Sequence, residues 1–302
     1  MTMQIGVALP SHLGLPDPLE LVDMAVEAEE LGFDVVWLGE HVFNSGYIRD
    51  RLGDLPYYAP LPLLAFIAAR TSRIRLGTSV LVLPNHHPAT LAKFLVNLDQ
   101  LSGGRVIAGV GCGGNKPEFE EMGLDFAARG RITNEMLEVM HALFTQPRAS
   151  HHGEYWNFDD VIFSPKPVQD PFPIWVGGMF DSAPSLRRTA LYGTGWQPAG
   201  LSPSELAEAA GRIRAMAAEA GRDPALIQVS ACLAVDYGEP LSFEAERKTL
   251  ISSKDPRGMA AELRVWRDHG ADDVMLRLNT PDIALVRSEL KRIGRDVLPL
   301  LR

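Results

Sequence analysis

The chain has 302 residues, of which 46% are apolar and 22% charged, and its formal net charge is −9. This composition is ordinary for a globular protein that buries its core without disulfides, and the acidic balance argues against a broad nucleic-acid-binding surface. Two cysteines, no apparent signal peptide and no apolar run near the roughly 18 residues that span a membrane lead us to expect a cytoplasmic protein that does not bind membranes.

Strand and helix patterns alternate along the chain. Strands are predicted at 4–9, 34–38, 74–83, 105–109, 173–177, 195–197, 227–235 and 273–278. Helices are predicted at 18–31, 60–70, 88–101, 129–145, 182–192, 203–220, 256–269 and 281–294. Strict alternation of this kind implies an α/β fold with parallel strands and right-handed crossovers. Eight such units predict a closed (β/α)8 TIM barrel in a single domain, residues 1–302, with an open doubly wound sheet as the alternative.

Three insertions account for the length beyond a minimal barrel: 43–58, 146–172 and 236–255. The first and third follow predicted strands, so we expect them at the carboxyl ends of the strands, where barrels of this type carry their function. The middle insertion follows a helix, which predicts a position nearer the opposite face.

Small residues interrupt the third predicted strand. Gly77, Thr78 and Ser79 separate Arg73–Leu76 from the apolar run Val80–Leu83. A buried strand gains no packing from three small residues in a row, so the interruption requires a local cause.

Side chains are also missing at two neighbouring strand ends. The glycines are Gly109, Gly111, Gly113 and Gly114 at strand four, and Gly177 and Gly178 at strand five. Because glycine lets a backbone approach a ligand closely, the two loops predict a flat ligand above and an anionic group below. Bare N–H groups ahead of a helix near Asp181 suit a phosphate. The alternative is that these glycines only form tight turns.

His41 follows the second strand, beside Glu40. At a strand end it is a candidate to hydrogen-bond a heterocycle or to carry a proton near neutral pH, and the alternative is a structural histidine. Glu40 is interpreted as a structural partner that fixes the imidazole.

The remaining reactive side chains support no second type of site. Cys112 is interpreted as a small wall residue rather than a nucleophile, and Cys232 as part of the core. The pairs His86–His87 and His151–His152 are adjacent in sequence and point apart on a strand, so no metal site is predicted.

Several segments together resemble one enzyme family. They are LGFDVVWLGEH, RIRLGTSVLVLP, HPATLAKFLVNLDQLSGGR, GVGCGGN, EFEEMG, ARGRITNEMLEVM, GEYWNF, PKPVQ and PIWVGG. This pattern resembles the luciferase-like flavin and deazaflavin oxidoreductases, in particular the subgroup that uses the deazaflavin coenzyme F420. The resemblance covers residues 4 to about 200 and is specific for family and fold, but not for substrate.

The resemblance implies a cofactor site. A non-proline cis peptide at Ser79–Val80 is expected behind the middle ring of the cofactor, with Val80 against that ring and His41 near it. The strand-four loop would line the ring, and the strand-five loop would bind the phosphate. The predicted cofactor-binding residues are His41, Thr78, Ser79, Val80, Gly109, Gly111, Cys112, Gly113, Gly177, Gly178 and Met179, with His41 also catalytic.

The resulting functional hypothesis is hydride transfer between F420 and a small organic substrate. The alternatives are a monooxygenase that uses reduced FMN and oxygen, and a barrel that binds a flavin without turnover. Gly114 stands where related sugar-phosphate dehydrogenases carry a proton-donating Glu, so their chemistry is not transferred. The resemblance also implies a homodimer. Candidates to receive the anionic coenzyme tail are Arg49, Arg51, Lys116, Arg187 and Arg188.

Overall fold

The computed structural model describes residues 3–236, 248–252, 254–278, 280 and 282–302. These residues form twelve strands: β1 (Gln4–Ala8), β2 (Val35–Leu38), β3 (Arg75–Thr78), β4 (Leu81–Val82), β5 (Val106–Gly111), β6 (Ala149–His152), β7 (Asn157–Val161), β8 (Ile174–Met179), β9 (Gly195–Ala199), β10 (Gln228–Asp236), β11 (Leu250–Ser252) and β12 (Asp273–Arg277).

Parallel pairing closes a barrel of eight strand positions in this part of the chain. The order is β1, β2, β3 continued by β4, β5, β8, β9, β10 and β12, and β12 returns to β1. The predicted TIM barrel is therefore confirmed, and the open sheet is excluded by the closing pairs.

Helices cover the outside of the barrel. They are α1 (Leu19–Leu31), α2 (Tyr47–Leu52), α3 (Pro60–Arg70), α4 (Pro88–Ser102), α5 (Lys116–Glu121), α6 (Arg129–Thr145), α7 (Ala183–Tyr192), α8 (Pro203–Glu219), α9 (Pro256–Asp268), α10 (Ile283–Arg292) and α11 (Leu298–Leu301). Proline begins α3, α4, α8 and α9, where a missing N–H costs nothing. No helix in the described ranges has both the length and the hydropathy required to cross a bilayer.

Two buried tryptophans fill the barrel interior. The rings of Trp37 and Trp175 lie 5.4 Å apart between centroids. A Cβ on Gly77 would lie 2.2 Å from the Trp37 ring, and one on Gly195 would lie 2.4 Å from Trp175. Since real Cβ atoms do not approach so closely, these strands carry glycine because a tryptophan occupies the space. The glycine that begins the interruption of the third strand is thus explained by core packing.

The insertions partly follow the predictions. Residues 43–58 contain α2 and lie at the carboxyl ends of the strands, packed against α5. The described end of the third insertion, β11, pairs with the last residues of β10, whereas 237–247 and 253 lie outside the described residues.

The middle insertion, residues 146–172, only partly lies where it was predicted, at the face opposite the carboxyl ends of the strands. Its ends lie near the amino ends of the strands, but it forms the antiparallel hairpin β6–β7. The turn of this hairpin donates the Trp156 N–H to Glu135 at 2.8 Å, and the Trp156 ring lies 6.4 Å from His87, just ahead of α4. The hairpin therefore extends along α6 towards the carboxyl face, which the position of the insertion after a helix did not reveal.

An unusual carboxyl group lies at the floor of the barrel. Asp273 is fully buried, and burial raises its pKa from 3.8 to about 7, although the hydrogen bond from Ser230 at 2.6 Å and the charge of Arg75 lower it. Asp34 and Asp272 act in the same direction as burial. In the unfolded chain the carboxyl titrates near its ordinary value, so folding favours the protonated form.

This shift predicts a pH-dependent stability. A raised folded-state pKa contributes stability that is complete below about pH 4 and is lost as the pH rises towards 7. Asp273→Asn should remove this loss, so the variant should gain stability relative to wild type between pH 4 and 7 by on the order of a few kcal/mol. Urea unfolding at pH 4.5, 6 and 7.5 measures the difference. If the difference in free energy of unfolding between wild type and Asp273→Asn does not change with pH, the raised pKa of Asp273 is contradicted.

Candidate functional site

The third barrel strand is interrupted at Ser79–Val80, and the peptide bond between these residues is cis. This confirms the cis bond expected from the family resemblance. β3 pairs with β5 through Leu76 and Gly77, and after the interruption β4 resumes the pairing through Leu81 and Val82. The interruption therefore turns Ser79 and Val80, both half-buried, out of the regular ladder without breaking the barrel.

The Val80 side chain occupies the space left by two glycines. A Cβ on Gly111 would lie 2.8 Å from Val80 Cγ2, and one on Gly177 would lie 2.5 Å from Val80 Cγ1. The Val80 side chain thus packs against the backbone of Gly111 and Gly177, at the ends of β5 and β8. The missing side chains serve protein packing first, and the half-buried Val80 forms an apolar surface above the two tryptophans.

Thr78 and Gly109 join neighbouring strands. The Thr78 hydroxyl donates to the Gly109 carbonyl at 2.8 Å, and Thr78 is only 1% exposed. A Cβ on Gly109 would lie 1.8 Å from the Thr78 carbonyl oxygen. The structure therefore gives both residues a structural function beside the predicted site.

The loop after β5 contains Cys112, Gly113 and Gly114. Cys112 is a free, half-buried thiol, whereas Cys232 is buried. Gly113 has φ +78°, and a Cβ there would lie 2.7 Å from the Phe119 ring and 2.8 Å from Val82. Gly114 is exposed, and apart from its chain neighbours no atom of the described residues lies within 4 Å of a Cβ placed on it. This loop is consequently tight at Gly113 and open at Gly114.

His41 is held by a carboxylate that the sequence patterns did not identify. Its Nδ1 lies 2.8 Å from Oε2 of Glu118, a residue of α5 that is 2% exposed. The other carboxylate oxygen accepts the backbone N–H groups of Val42 and Phe43. Burial alone would raise the pKa of Glu118, but the hydrogen bonds and charge of His41 and these two N–H groups lower it overall. Glu118 is therefore an ionised anchor for the imidazole.

Glu40 does not hold His41, so that prediction was wrong. Its carboxylate accepts the Val82 N–H at 2.8 Å and lies 2.9 Å from His86 Nε2. Because successive residues of an extended segment point apart, Glu40 and His41 face different neighbours. Glu40 instead supports β4, directly after the cis peptide.

Two tyrosines from the first insertion surround the other side of the imidazole. The Tyr47 hydroxyl lies 3.2 Å from His41 Nε2, and the Tyr57 ring meets His41 edge-on at 5.3 Å. A Cβ on Gly39 would lie 2.8 Å from the Tyr57 hydroxyl oxygen, so glycine at this position leaves room for the tyrosine. Burial raises the pKa of both tyrosines, so both remain neutral hydroxyls. His41 thus has one nitrogen on a carboxylate and the other beside a neutral hydroxyl.

The end of β8 forms a possible anion cradle with α7. Gly178 and Met179 are exposed, and a Cβ on Gly178 would lie 3.0 Å from Ser185 Oγ. Ser185 lies in the first turn of α7 and is 4% exposed, and its hydroxyl has no hydrogen-bond partner within the described part of the chain. An unpaired buried hydroxyl beside a side-chain-free residue, at a helix N-terminus, fits a bound phosphate.

The basic candidates do not form one patch. Arg49 pairs with Glu121 at 3.7 Å, and Lys116 pairs with Glu120 at 3.2 Å. Arg188 is 6% exposed, so it is not a rim cation as predicted. Arg51 and Arg187 are exposed, and neither makes a hydrogen bond or ion pair within the described residues.

The adjacent histidine pairs are engaged elsewhere. His86 binds Glu40, His151 lies 3.3 Å from Glu135, and His152 lies 2.9 Å from Asp159. Across the described ranges, no group of three or more His, Cys, Asp or Glu side chains is arranged to hold a metal ion.

Comparison with known proteins supplies a family. Residues 3–257 match the model for luciferase-like monooxygenases. An F420-dependent glucose-6-phosphate dehydrogenase from Nakamurella multipartita is 36% identical over 177 aligned residues, 57% of this chain and 49% of that protein. With uncharacterised mycobacterial proteins, also 36% identical, the chain spans 59% of the relatives' length.

Solved structures of similar fold bind two kinds of cofactor. An F420-dependent secondary alcohol dehydrogenase, in complex with an F420–acetone adduct, superposes with a TM-score of 0.84 at 21% identity over the full length of both chains. A type II Baeyer–Villiger monooxygenase from Pseudomonas putida, in complex with FMN, superposes with a TM-score of 0.75 at 19% identity over 99% of both. At these identities the likeness establishes the fold alone.

Proposed function

Because the chain belongs to the luciferase-like monooxygenase family, we propose that it is an oxidoreductase that uses coenzyme F420 to transfer a hydride to or from a small organic substrate. The observation that carries this proposal is the arrangement around two consecutive glycines of β8, Gly177 and Gly178. Gly177 leaves space for the Val80 side chain, and the next residue, Gly178, leaves space beside the Ser185 hydroxyl at the start of α7. An apolar surface for a ring and a cradle for a phosphate are thereby adjacent.

F420 is preferred to FMN because of the dehydrogenase relative, which is 36% identical. The ring surface and the cradle suit either cofactor, since both carry a tricyclic ring and a phosphate. The deazaflavin, when bound, supplies a ring carbon that accepts or donates a hydride, so the protein contributes binding, orientation and proton transfer.

The chain's own residues divide this work. Val80 would support one face of the ring, and Gly178 with Ser185 and the α7 N-terminus would hold the phosphate. The ionised Glu118 accepts the Nδ1–H of His41 and orients the imidazole, so that its Nε2 faces the site beside Tyr47. When a carbonyl carbon receives a hydride, His41 donates a proton from Nε2 to the carbonyl oxygen, and an alcohol results. Oxidation of an alcohol reverses both transfers.

A titration of the purified protein with F420 and with FMN tests the proposal. F420 should bind more tightly, and the reduced coenzyme should be oxidised in the presence of a carbonyl substrate without oxygen. Tight binding of FMN with no binding of F420 would favour the monooxygenase. A retained cofactor that no substrate oxidises or reduces would favour a flavin-binding barrel without turnover.

Gly178→Asp tests the anion cradle. The new carboxylate would lie beside the phosphate and against Ser185, so F420 should bind at least about tenfold more weakly, equivalent to about 1.4 kcal/mol. Fluorescence titration of the coenzyme measures the change. Gly114→Asp is the matched control, because it adds the same charge at an exposed glycine with free space around it. Equal affinities for the two folded variants would exclude the cradle.

A further inference from the structure

A polar groove lies on the outer side of the barrel between α6 and α7. Its volume is about 470 Å3, and it is lined by Asn134, Ala183, Pro184, Arg187, Arg188, Leu191 and Tyr192. Ala183 and Pro184 are the first two residues of α7, and Ser185 of the anion cradle follows them. The groove therefore begins within one helical turn of the proposed phosphate position.

The wall of the groove is held rigidly. Arg188 donates to the Asn134 side chain at 2.8 Å and to the Gly130 carbonyl at 3.3 Å, and the Tyr192 hydroxyl donates to Glu138 at 2.6 Å. The three α6 residues are spaced four apart, so they form one face of that helix. Their partners on α7, Arg188 and Tyr192, are also four residues apart. These hydrogen bonds fix the distance between α6 and α7 along the groove.

Arg187 and Arg188 give the lining of the groove two positive charges, which the Glu138 carboxylate beside Tyr192 offsets in part. Burial lowers the pKa of Arg188, but a guanidinium with two hydrogen bonds stays charged. Burial, together with the bond to Glu138, raises the pKa of Tyr192 to about 12, so its hydroxyl is neutral. The nearby Asp181 is neutralised by Arg212 at 2.7 Å. Arg187 remains exposed at the edge, without an ion pair to any described residue.

We infer that this groove binds the anionic oligoglutamate chain that extends beyond the phosphate of F420, with Arg187 as the charged contact. The inference rests on the proposed function and adds a binding site for the tail. It follows from continuity, because the groove begins at Ala183 and Pro184, which directly precede Ser185 of the anion cradle. It also follows from charge, since a flexible carboxylate chain needs an unpaired cation and Arg187 provides one.

The test compares three coenzyme forms, with no glutamate, with one and with several, by fluorescence titration at low and moderate salt. Wild-type affinity should increase about two- to fivefold with the longer tail, and this gain should shrink with added salt. Arg187→Gln should abolish the gain while the tail-free form binds as it does to wild type. Arg295→Gln is the matched control, because it removes the charge of another exposed arginine near the C-terminus, distant in the chain from the groove.

The outcomes separate the two proposals. If all coenzyme forms bind but tail length has no effect, or if Arg187→Gln and Arg295→Gln behave alike, the groove is not the tail site and the proposed function stands. If no deazaflavin form binds while FMN does, both the proposed function and the tail site are wrong.

Discussion

Gly77→Ala should lower the free energy of unfolding by about 3 kcal/mol or more, and it should reduce soluble yield. The added methyl group would lie 2.2–2.7 Å from three atoms of the Trp37 ring. Trp37 is fully buried and packs against Trp175, so its ring has no free space to move into. Overpacking at the centre of the barrel therefore displaces a strand or a tryptophan.

Chemical denaturation of Gly77→Ala and Gly211→Ala measures this effect. Gly211 lies inside α8, and outside its own helical backbone no atom of the described residues lies within 4 Å of a Cβ placed there. Alanine at that position should therefore stabilise the helix by about 0.5–1 kcal/mol. The same substitution should thus have opposite signs at the two positions. A Gly77→Ala protein as stable as wild type would contradict the packing explanation.

A second substitution in the same protein identifies the clash. Trp37→Phe removes the benzo portion of the ring that the new methyl group would touch. Trp37→Phe alone should be destabilising because it leaves a cavity. The double variant should lose less free energy of unfolding than the sum of the losses in Gly77→Ala and Trp37→Phe. The coupling energy should therefore have the opposite sign to that sum. Strict additivity would show that the two residues do not interact.

The interruption at residue 77 illustrates what the sequence can and cannot predict. Three small residues in a strand pattern indicate that something large or unusual lies nearby. They do not identify the neighbour, which is a tryptophan forty positions earlier on the adjacent strand. The strand and helix order was predictable because each element carries its own periodicity, whereas side-chain packing inside the barrel depends on contacts distant in sequence.

The same distinction applies to the site. The glycines of β5 and β8 were identified because they occupy strand ends, but their immediate occupant is Val80 rather than a ligand. Glu118 was missed because it lies 77 residues from His41, on a short helix inside a loop. The signal that was available is an acidic stretch, PEFEE, directly after a glycine-rich strand end. A carboxylate in such a loop lies at the barrel rim whichever strand it follows.

Glu118→Gln should lower the rate of hydride transfer by about ten- to a hundredfold while changing F420 affinity little. The amide lacks the negative charge that Glu118 places 2.8 Å from His41 Nδ1, although it retains the shape of the carboxylate. Glu120→Gln is the matched control, because Glu120 is on the same helix and, among the described residues, forms its ion pair with Lys116 at the surface. A fall in rate that is equal in both variants would exclude a specific function for Glu118.

Nitrogen chemical shifts of His41, which can be measured without substrate, distinguish positioning of His41 by Glu118 from a general structural effect of the substitution. In wild type, the Nδ1 of His41 should carry its proton towards the carboxylate, and nitrogen chemical shifts of labelled histidine report that state. Glu118→Gln should change these shifts at His41 and leave those of His151, which lies against Glu135, unchanged. His41→Ala should lower the rate as well, and adding Glu118→Gln to it should cause little further loss, since Glu118 acts through His41.

The lowered pKa of Glu118 adds a test of the carboxylate itself. Burial opposes ionisation, but the contacts from His41, Val42 and Phe43 outweigh it, so the folded-state pKa lies below the ordinary 4.5. Such a group contributes stability that is present above pH 4.5 and is lost as the pH falls through the folded-state value. Wild type should therefore be more stable than Glu118→Gln at pH 7, and the difference should narrow as the pH falls below 4.5. A difference that grows in acid would mean that Glu118 is protonated in the folded protein and is not the ionised partner of His41 Nδ1.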